Sequence, residues 1–123
     1  MKTYTIAAIP GDGIGREVVA AGLQVLDQLA ARDGGFRLDV RTFDWCSNYF
    51  DITGKGIANP IGTFWPASLM LEHLVEAKAA ERLMRAIERV TAEKRWHSPD
   101  LGGTATTKAV TDAVCEAVRA ENA

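Results

Sequence analysis

Long apolar runs are missing from this chain, and so is any cluster of basic residues. No stretch approaches the ~20 apolar residues that a membrane-spanning helix needs. The N-terminus lacks the basic-then-apolar order of a secretory signal. Lys and Arg number 14 against 16 Asp and Glu, a net charge of −2, and the cations stand singly among acids. Neither nucleic acid nor a membrane surface is therefore an expected partner, since either calls for a basic face. Cysteine is scarce too. Cys46 and Cys115 lie far apart, with no C-x-x-C pair and no zinc-type spacing. Two stray thiols in a signal-free chain read as reduced, structural and cytoplasmic. Of the two histidines, His73 falls in an apolar helical stretch, where half-buried packing is expected, and His97 falls in a loop.

What remains is ordinary globular composition, 47% hydrophobic and 24% charged in 123 residues, enough for one domain at most. Tyr4 to Ile9 is a short apolar run stopped by Pro10 and reads as a buried strand. Pro10-Gly-Asp-Gly-Ile-Gly15 is a tight turn. Val18, Ala21, Val25 and Leu29 then recur at helical spacing, and Asp33-Gly34-Gly35 stops that helix. Phe36, Leu38, Val40 and Thr42 alternate with polar residues as a second, half-buried strand does. Together these form one β-α-β unit. Residues 44–58 read as loop.

Asn59-Pro60 then starts an apolar helix carrying Ile61, Phe64, Trp65, Leu69, Met70, Leu71 and Leu74, with Asn59 able to cap and Pro60 suited to the first turn. Pro66 falls inside that helix, where it removes a backbone hydrogen bond. Residues 77–94 form a helix with an Ala80, Leu83, Met84, Ile87, Val90 stripe. A loop from Trp96 to Gly103 follows, and Thr106 or Thr107 caps a last helix carrying Val110, Val114 and Val118. The fold class is thus α/β, one β-α-β unit plus about three C-terminal helices. Two strands offer little surface to four helices, so part of the Phe64, Trp65, Leu69 and Leu83 set is expected to lack a partner.

The Gly11-Asp-Gly-Ile-Gly15 turn fails the G-x-G-x-x-G spacing of a dinucleotide-binding turn, because Arg16 stands where the third glycine belongs. The longer wording Ala8-Ile-Pro-Gly-Asp-Gly-Ile-Gly-Arg-Glu-Val18 resembles the opening of the metal-dependent decarboxylating dehydrogenases, the isocitrate, isopropylmalate, tartrate and D-malate dehydrogenase family. In that family this turn lies along the cofactor cleft; a purely structural turn is the other reading. Asp51-Ile-Thr-Gly-Lys-Gly-Ile-Ala-Asn59-Pro60 resembles the family's adenosine-binding loop. Gly54 and Gly56 let backbone approach a ligand, Asp51 can accept from a ribose diol, and Asn59 offers an amide to adenine. The resemblance makes Asp51, Ile52, Gly54, Gly56 and Asn59 the cofactor-binding candidates. It implies NAD over NADP, because an acid at Asp51 repels a 2′-phosphate.

Gly62-Thr-Phe-Trp65, Met70-Leu-Glu-His-Leu74, Ser98-Pro-Asp-Leu-Gly-Gly-Thr-Ala-Thr-Thr107 and Val110-Thr-Asp-Ala-Val-Cys115 resemble the family's closing helices and loop. The Phe64-Trp65 pair and the Asp100 to Thr107 wording are those of the tartrate and D-malate branch. Phe43-Asp-Trp-Cys-Ser-Asn-Tyr49 resembles the end of the second strand in that branch, so a join falls between Tyr49 and Phe50. The chain then reads as a single partial domain of the isopropylmalate-dehydrogenase-type fold, an N-terminal piece 1–49 and an adenosine-loop and helical piece 50–123.

The resemblance implies NAD-dependent oxidation and decarboxylation of a small 2-hydroxy acid, tartrate or D-malate, with Mn²⁺ or Mg²⁺, in a homodimer. That chemistry needs carboxylates around the metal, arginines for substrate and a Tyr/Lys pair for proton transfer. In the family these stand between the two pieces joined here. No catalytic residue and no metal ligand is assigned: Asp12, Asp44, Asp51 and Asp100 lack ligand spacing, and Tyr4 and Tyr49 lie on or beside strands. An enzyme of this family and a catalytically inactive, truncated remnant both stay open.

Overall fold

A computed structural model describes residues 1–11, 13–43 and 56–120. Strand β1 (Lys2–Ala8), helix α1 (Gly15–Asp33) and strand β2 (Phe36–Thr42) form the β-α-β unit, followed by helices α2 (Ile61–His73), α3 (Ala77–Ala92) and α4 (Thr107–Ala120). The strands pair in parallel, with Lys2 beside Phe36 and Ala8 beside Thr42. α1 ends where Gly34 takes φ 65° and its N–H caps the Ala30 carbonyl at 3.0 Å, the left-handed stop that glycine favours.

The expected buried first strand is half-buried instead. Tyr4, Ile6 and Ala8 turn inward while Thr3, Thr5 and Ala7 are exposed. Its partner shows the same alternation, with Phe36 buried and Arg37, Asp39 and Arg41 outside. A parallel sheet is buried on both faces only when helices cover both. Among the described residues the helices lie against one face.

The core therefore sits largely between helices. α1 packs on α4 and α2, and α3 packs on α2 and α4. Val25, Leu29, Phe64, Leu71, Leu83, Val114 and Val118 are all buried to within 1% of full exclusion. Because helices bury one another, Phe64 and Leu83 find partners that the sheet alone does not supply. The expected shortfall falls on the outer stripe of α2, where Trp65 keeps 58% and Leu69 53% of its surface exposed. His73 continues that stripe at i+4 from Leu69 and is exposed, not half-buried as its apolar surroundings suggest.

α3 stops at Ala92, earlier than its pattern suggests, because Glu93 is extended; Lys94–Trp96 and Pro99–Leu101 are short 3₁₀ turns. The turn between α2 and α3 is anchored to β1. The Tyr4 hydroxyl donates to Glu76 Oε1 at 2.8 Å and lies 3.1 Å from the Leu74 carbonyl. Lys2 Nζ pairs with the same carboxylate oxygen at 3.1 Å. At the C-terminal end of α1, Arg82 of α3 pairs with Asp33.

Candidate functional site

Three segments that are remote in sequence converge on one cleft. The first is the glycine turn before α1. It is so tight that a Cβ on Gly15 would lie 1.9 Å from the Pro10 carbonyl oxygen, so only glycine fits. The second is the end of the loop at Gly56, which takes φ 62°, a left-handed conformation that side chains rarely adopt. The third is the start of α4. Thr106 Oγ1 accepts the Ala109 N–H at 3.1 Å, the arrangement of an N-cap. Thr107 turns inward instead. Its N–H donates to the Gly56 carbonyl at 2.9 Å, and its hydroxyl to the Ala58 carbonyl at 2.6 Å. α4 thereby clamps the loop end from both backbone and side chain.

Between these segments lies a cleft of about 670 Å³, walled by Gly13, Glu17, Gln24, Gly56, Thr107 and Lys108 among others. That is within the size range of small-molecule sites. Glu17 lines this cleft, and its Oε1 is buried without a hydrogen-bond partner among the described residues. Lys108 pairs with Asp112 one turn along at 2.5 Å, and this pairing holds the Asp112 carboxyl below the usual carboxylate range.

Of the sequence candidates, Asp51, Ile52 and Gly54 lie outside the described residues, as do Asp12, Asp44 and Cys46. Gly56 is on the cleft wall, together with Gly13 of the opening turn. Asn59 stands at the start of α2 with its amide committed. Its Oδ1 accepts the Ile61 N–H at 3.1 Å, and its Nδ2 donates to Asp100 Oδ2 at 2.9 Å. Asp100 also accepts from Ser98 Oγ at 2.6 Å. Ser98 first and Asn59 second hold its carboxyl below the usual range.

Sequence reasoning missed Glu17 and the inward role of Thr107. Glu17 belongs to a recognised stretch, but nothing in a helical acid announces burial. For Thr107 the signal was the adjacent Thr106-Thr107 pair, read as alternatives for one cap when each has its own task. A divalent metal finds no fit among the described residues, where no three His, Cys, Asp or Glu side chains gather.

A sequence profile of the isocitrate/isopropylmalate dehydrogenase family matches residues 49–118, more than half of the chain. The chain belongs to the isocitrate/isopropylmalate dehydrogenase family. Its relatives include a probable tartrate dehydrogenase/decarboxylase of Agrobacterium vitis, 66% identical over 73 residues, which covers 59% of this chain and 20% of that protein. An isocitrate/homoisocitrate dehydrogenase of Thermus thermophilus is 49% identical over 69 residues, 56% of this chain and 20% of the other. A probable tartrate dehydrogenase/decarboxylase of Bacillus subtilis is 44% identical over 69 residues, 56% of this chain and 19% of its own length. The aligned part thus spans about a fifth of these dehydrogenases. The family fold is represented as a small α/β piece, two parallel strands with four α-helices among the described residues. No helix among them is long and apolar enough to cross a membrane.

Proposed function

We propose that this chain binds the adenosine half of NAD in the cleft between the glycine turn, the Gly56 loop end and the start of α4. It would do so as part of a tartrate dehydrogenase/decarboxylase-type architecture working in a reducing, cytoplasmic setting. The observation that carries the reading is the convergence of Gly13 and Gly56 on one cleft, clamped by Thr107. Two motifs singled out in sequence for the same ligand share one wall although more than forty residues separate them. Glu17 adds an acidic side chain to the same wall. Asp51, by resemblance, accepts from the ribose diol and selects NAD over NADP.

In the architecture of the relatives, NAD supplies the hydride acceptor for oxidation of a 2-hydroxy acid such as tartrate or D-malate, with Mn²⁺ or Mg²⁺ assisting decarboxylation. The residues assigned here hold the opposite end of the cofactor. Metal carboxylates, substrate arginines and a Tyr/Lys pair have no assigned counterpart in this sequence. The chain by itself is therefore a binder of adenosine cofactors without turnover, and its dehydrogenase activity depends on segments found in its longer relatives.

Titration calorimetry of the purified chain with NAD, NADP, AMP and nicotinamide mononucleotide tests this. NAD and AMP should bind alike, NADP at least tenfold more weakly by charge repulsion at Asp51, and nicotinamide mononucleotide not measurably. Equal affinity for nicotinamide mononucleotide and AMP would sink the reading. NADH production from tartrate or D-malate with Mn²⁺ by the chain alone would overturn the claim of no turnover.

A further inference from the structure

The amide that the sequence offers to adenine is committed elsewhere. Asn59 accepts from Ile61 and donates to Asp100, and it is not among the residues that line the cleft. A base in the cleft therefore needs another reader.

α1 and α4 lie side by side and point the same way. Gln24 approaches Asp112 and Cys115, and Gln28, one turn further on, pairs with Arg119. These contacts bring the two helices together from Gln24 onward. The cleft is the space before them, running roughly 10 Å along α1 from Glu17 to Gln24 at about 1.5 Å per residue. Gly13, Gly56 and Lys108 stand at the end where both helices begin, and Ala20, Ala21, Gln24 and Thr111 wall the inner part. Thr111 commits its hydroxyl to the Thr107 carbonyl at 2.7 Å. The alanines present small apolar groups, against which a planar base can lie.

Gln24 supplies the polar contact at this inner end, and it is held loosely. Its Nε2 lies 3.5 Å from Asp112 Oδ1 and 3.9 Å from Cys115 Sγ, both at the outer limit of a hydrogen bond. Its Oε1 has no partner among the described residues. An ionised carboxylate only accepts, so Asp112, paired with Lys108, keeps the amino end of the amide on its own side.

We propose, resting on the adenosine reading of this cleft, that Gln24 reads the base and selects a 6-aminopurine over a 6-oxopurine. Oε1 accepts from the 6-amino group and Nε2 donates to the neighbouring ring nitrogen, the paired bonds by which amides recognise adenine. In a 6-oxopurine an oxygen replaces the amino group and faces Oε1, acceptor against acceptor. Asp112 opposes the turn of the amide that would relieve the clash.

Titration calorimetry with AMP and inosine monophosphate tests this. The wild-type chain should prefer AMP by about tenfold or more. In Gln24→Ala, which changes an exposed side chain, AMP should weaken until the two nucleotides bind alike. Asp112→Ala frees the amide to turn and should narrow the preference by tightening inosine monophosphate. Circular dichroism checks that each variant is folded. A preference kept in Gln24→Ala overturns the assignment, as does an equal loss for both nucleotides, which marks a structural role only. A preference unchanged in Asp112→Ala overturns the part given to Asp112. A wild-type chain that binds both nucleotides alike overturns the role of Gln24 and leaves the adenosine cleft standing. One that binds neither overturns both.

Discussion

Among the described residues, Val75 is the one non-glycine residue with positive φ. It follows α2 with φ 64°, and it is exposed. The Glu76 N–H reaches the Leu71 carbonyl at 2.9 Å while the Val75 N–H reaches Glu72 at 2.9 Å. This is the paired helix ending that glycine usually completes. A β-branched side chain in the left-handed region costs of order 1–3 kcal/mol. Glycine would relieve that strain and return part of the gain through the freer unfolded chain. Val75→Gly should therefore stabilise the chain by about 1 kcal/mol, read as a higher urea midpoint at unchanged slope. Thr107→Val is the counterpart at the cleft. It removes the hydroxyl bond to Ala58, costs roughly 0.5–1.5 kcal/mol and frees the loop end, so AMP affinity should fall along with stability. Neither residue was legible in sequence. A valine after a helix carries no mark of φ, and a threonine next to a better cap hides its own inward bond. Gly56, read in sequence as a place where backbone can come close to a ligand, lies on the cleft wall; what binds there is not legible from a glycine.

Boundaries of elements were more legible than their exposure. Gly34 ended α1 and Asn59-Pro60 opened α2 as their chemistry dictates, and the alternation of β2 matched its burial. The failures came where a neighbour decides the outcome. β1 reads as fully buried because its composition is that of a central strand, yet its outer face is open here. α2 carries both a core row, Phe64, Ser68 and Leu71, and an outer row, Trp65, Leu69 and His73. Its sequence is apolar nearly all round, so periodicity could not tell the rows apart. Pro66 lies between them on an exposed position, and its missing N–H leaves the Gly62 carbonyl without its helical donor. Pro66→Ala should stabilise α2 by up to about 3 kcal/mol, measured as a shift in denaturant midpoint. An unchanged midpoint would mean that packing of the proline ring offsets the hydrogen bond that alanine restores. Asn59 and Asp100 join the start of α2 to the turn before α4, so Asp100→Ala should weaken AMP binding by loosening both elements.

At the scale of the whole molecule, the pieces are held by a helical core and by a few polar ties whose titration sets the pH range of folding. Glu76 is held low by the Tyr4 hydroxyl and then by Lys2, and Asp100 by Ser98 and Asn59. A carboxyl depressed in the folded state contributes stability above its ordinary value, and loses it as pH falls through the folded one. The melting temperature should thus hold level from neutral pH to about 5 and fall below about 4. Lys2 is shifted up, chiefly by its hydrogen bond to Glu76, so its contribution is present at neutral pH and disappears only in strong alkali. Cys115 reports on the core itself. It is 1% exposed on α4, and burial pushes its thiol up, so it reacts only when α4 leaves its partners. In a Cys46→Ser background, labelling by an aromatic disulfide reagent should be slow, and should quicken with urea in step with loss of helical dichroism. Fast labelling in water, before any helix is lost, would show that two strands and four helices leave this core too loose to close.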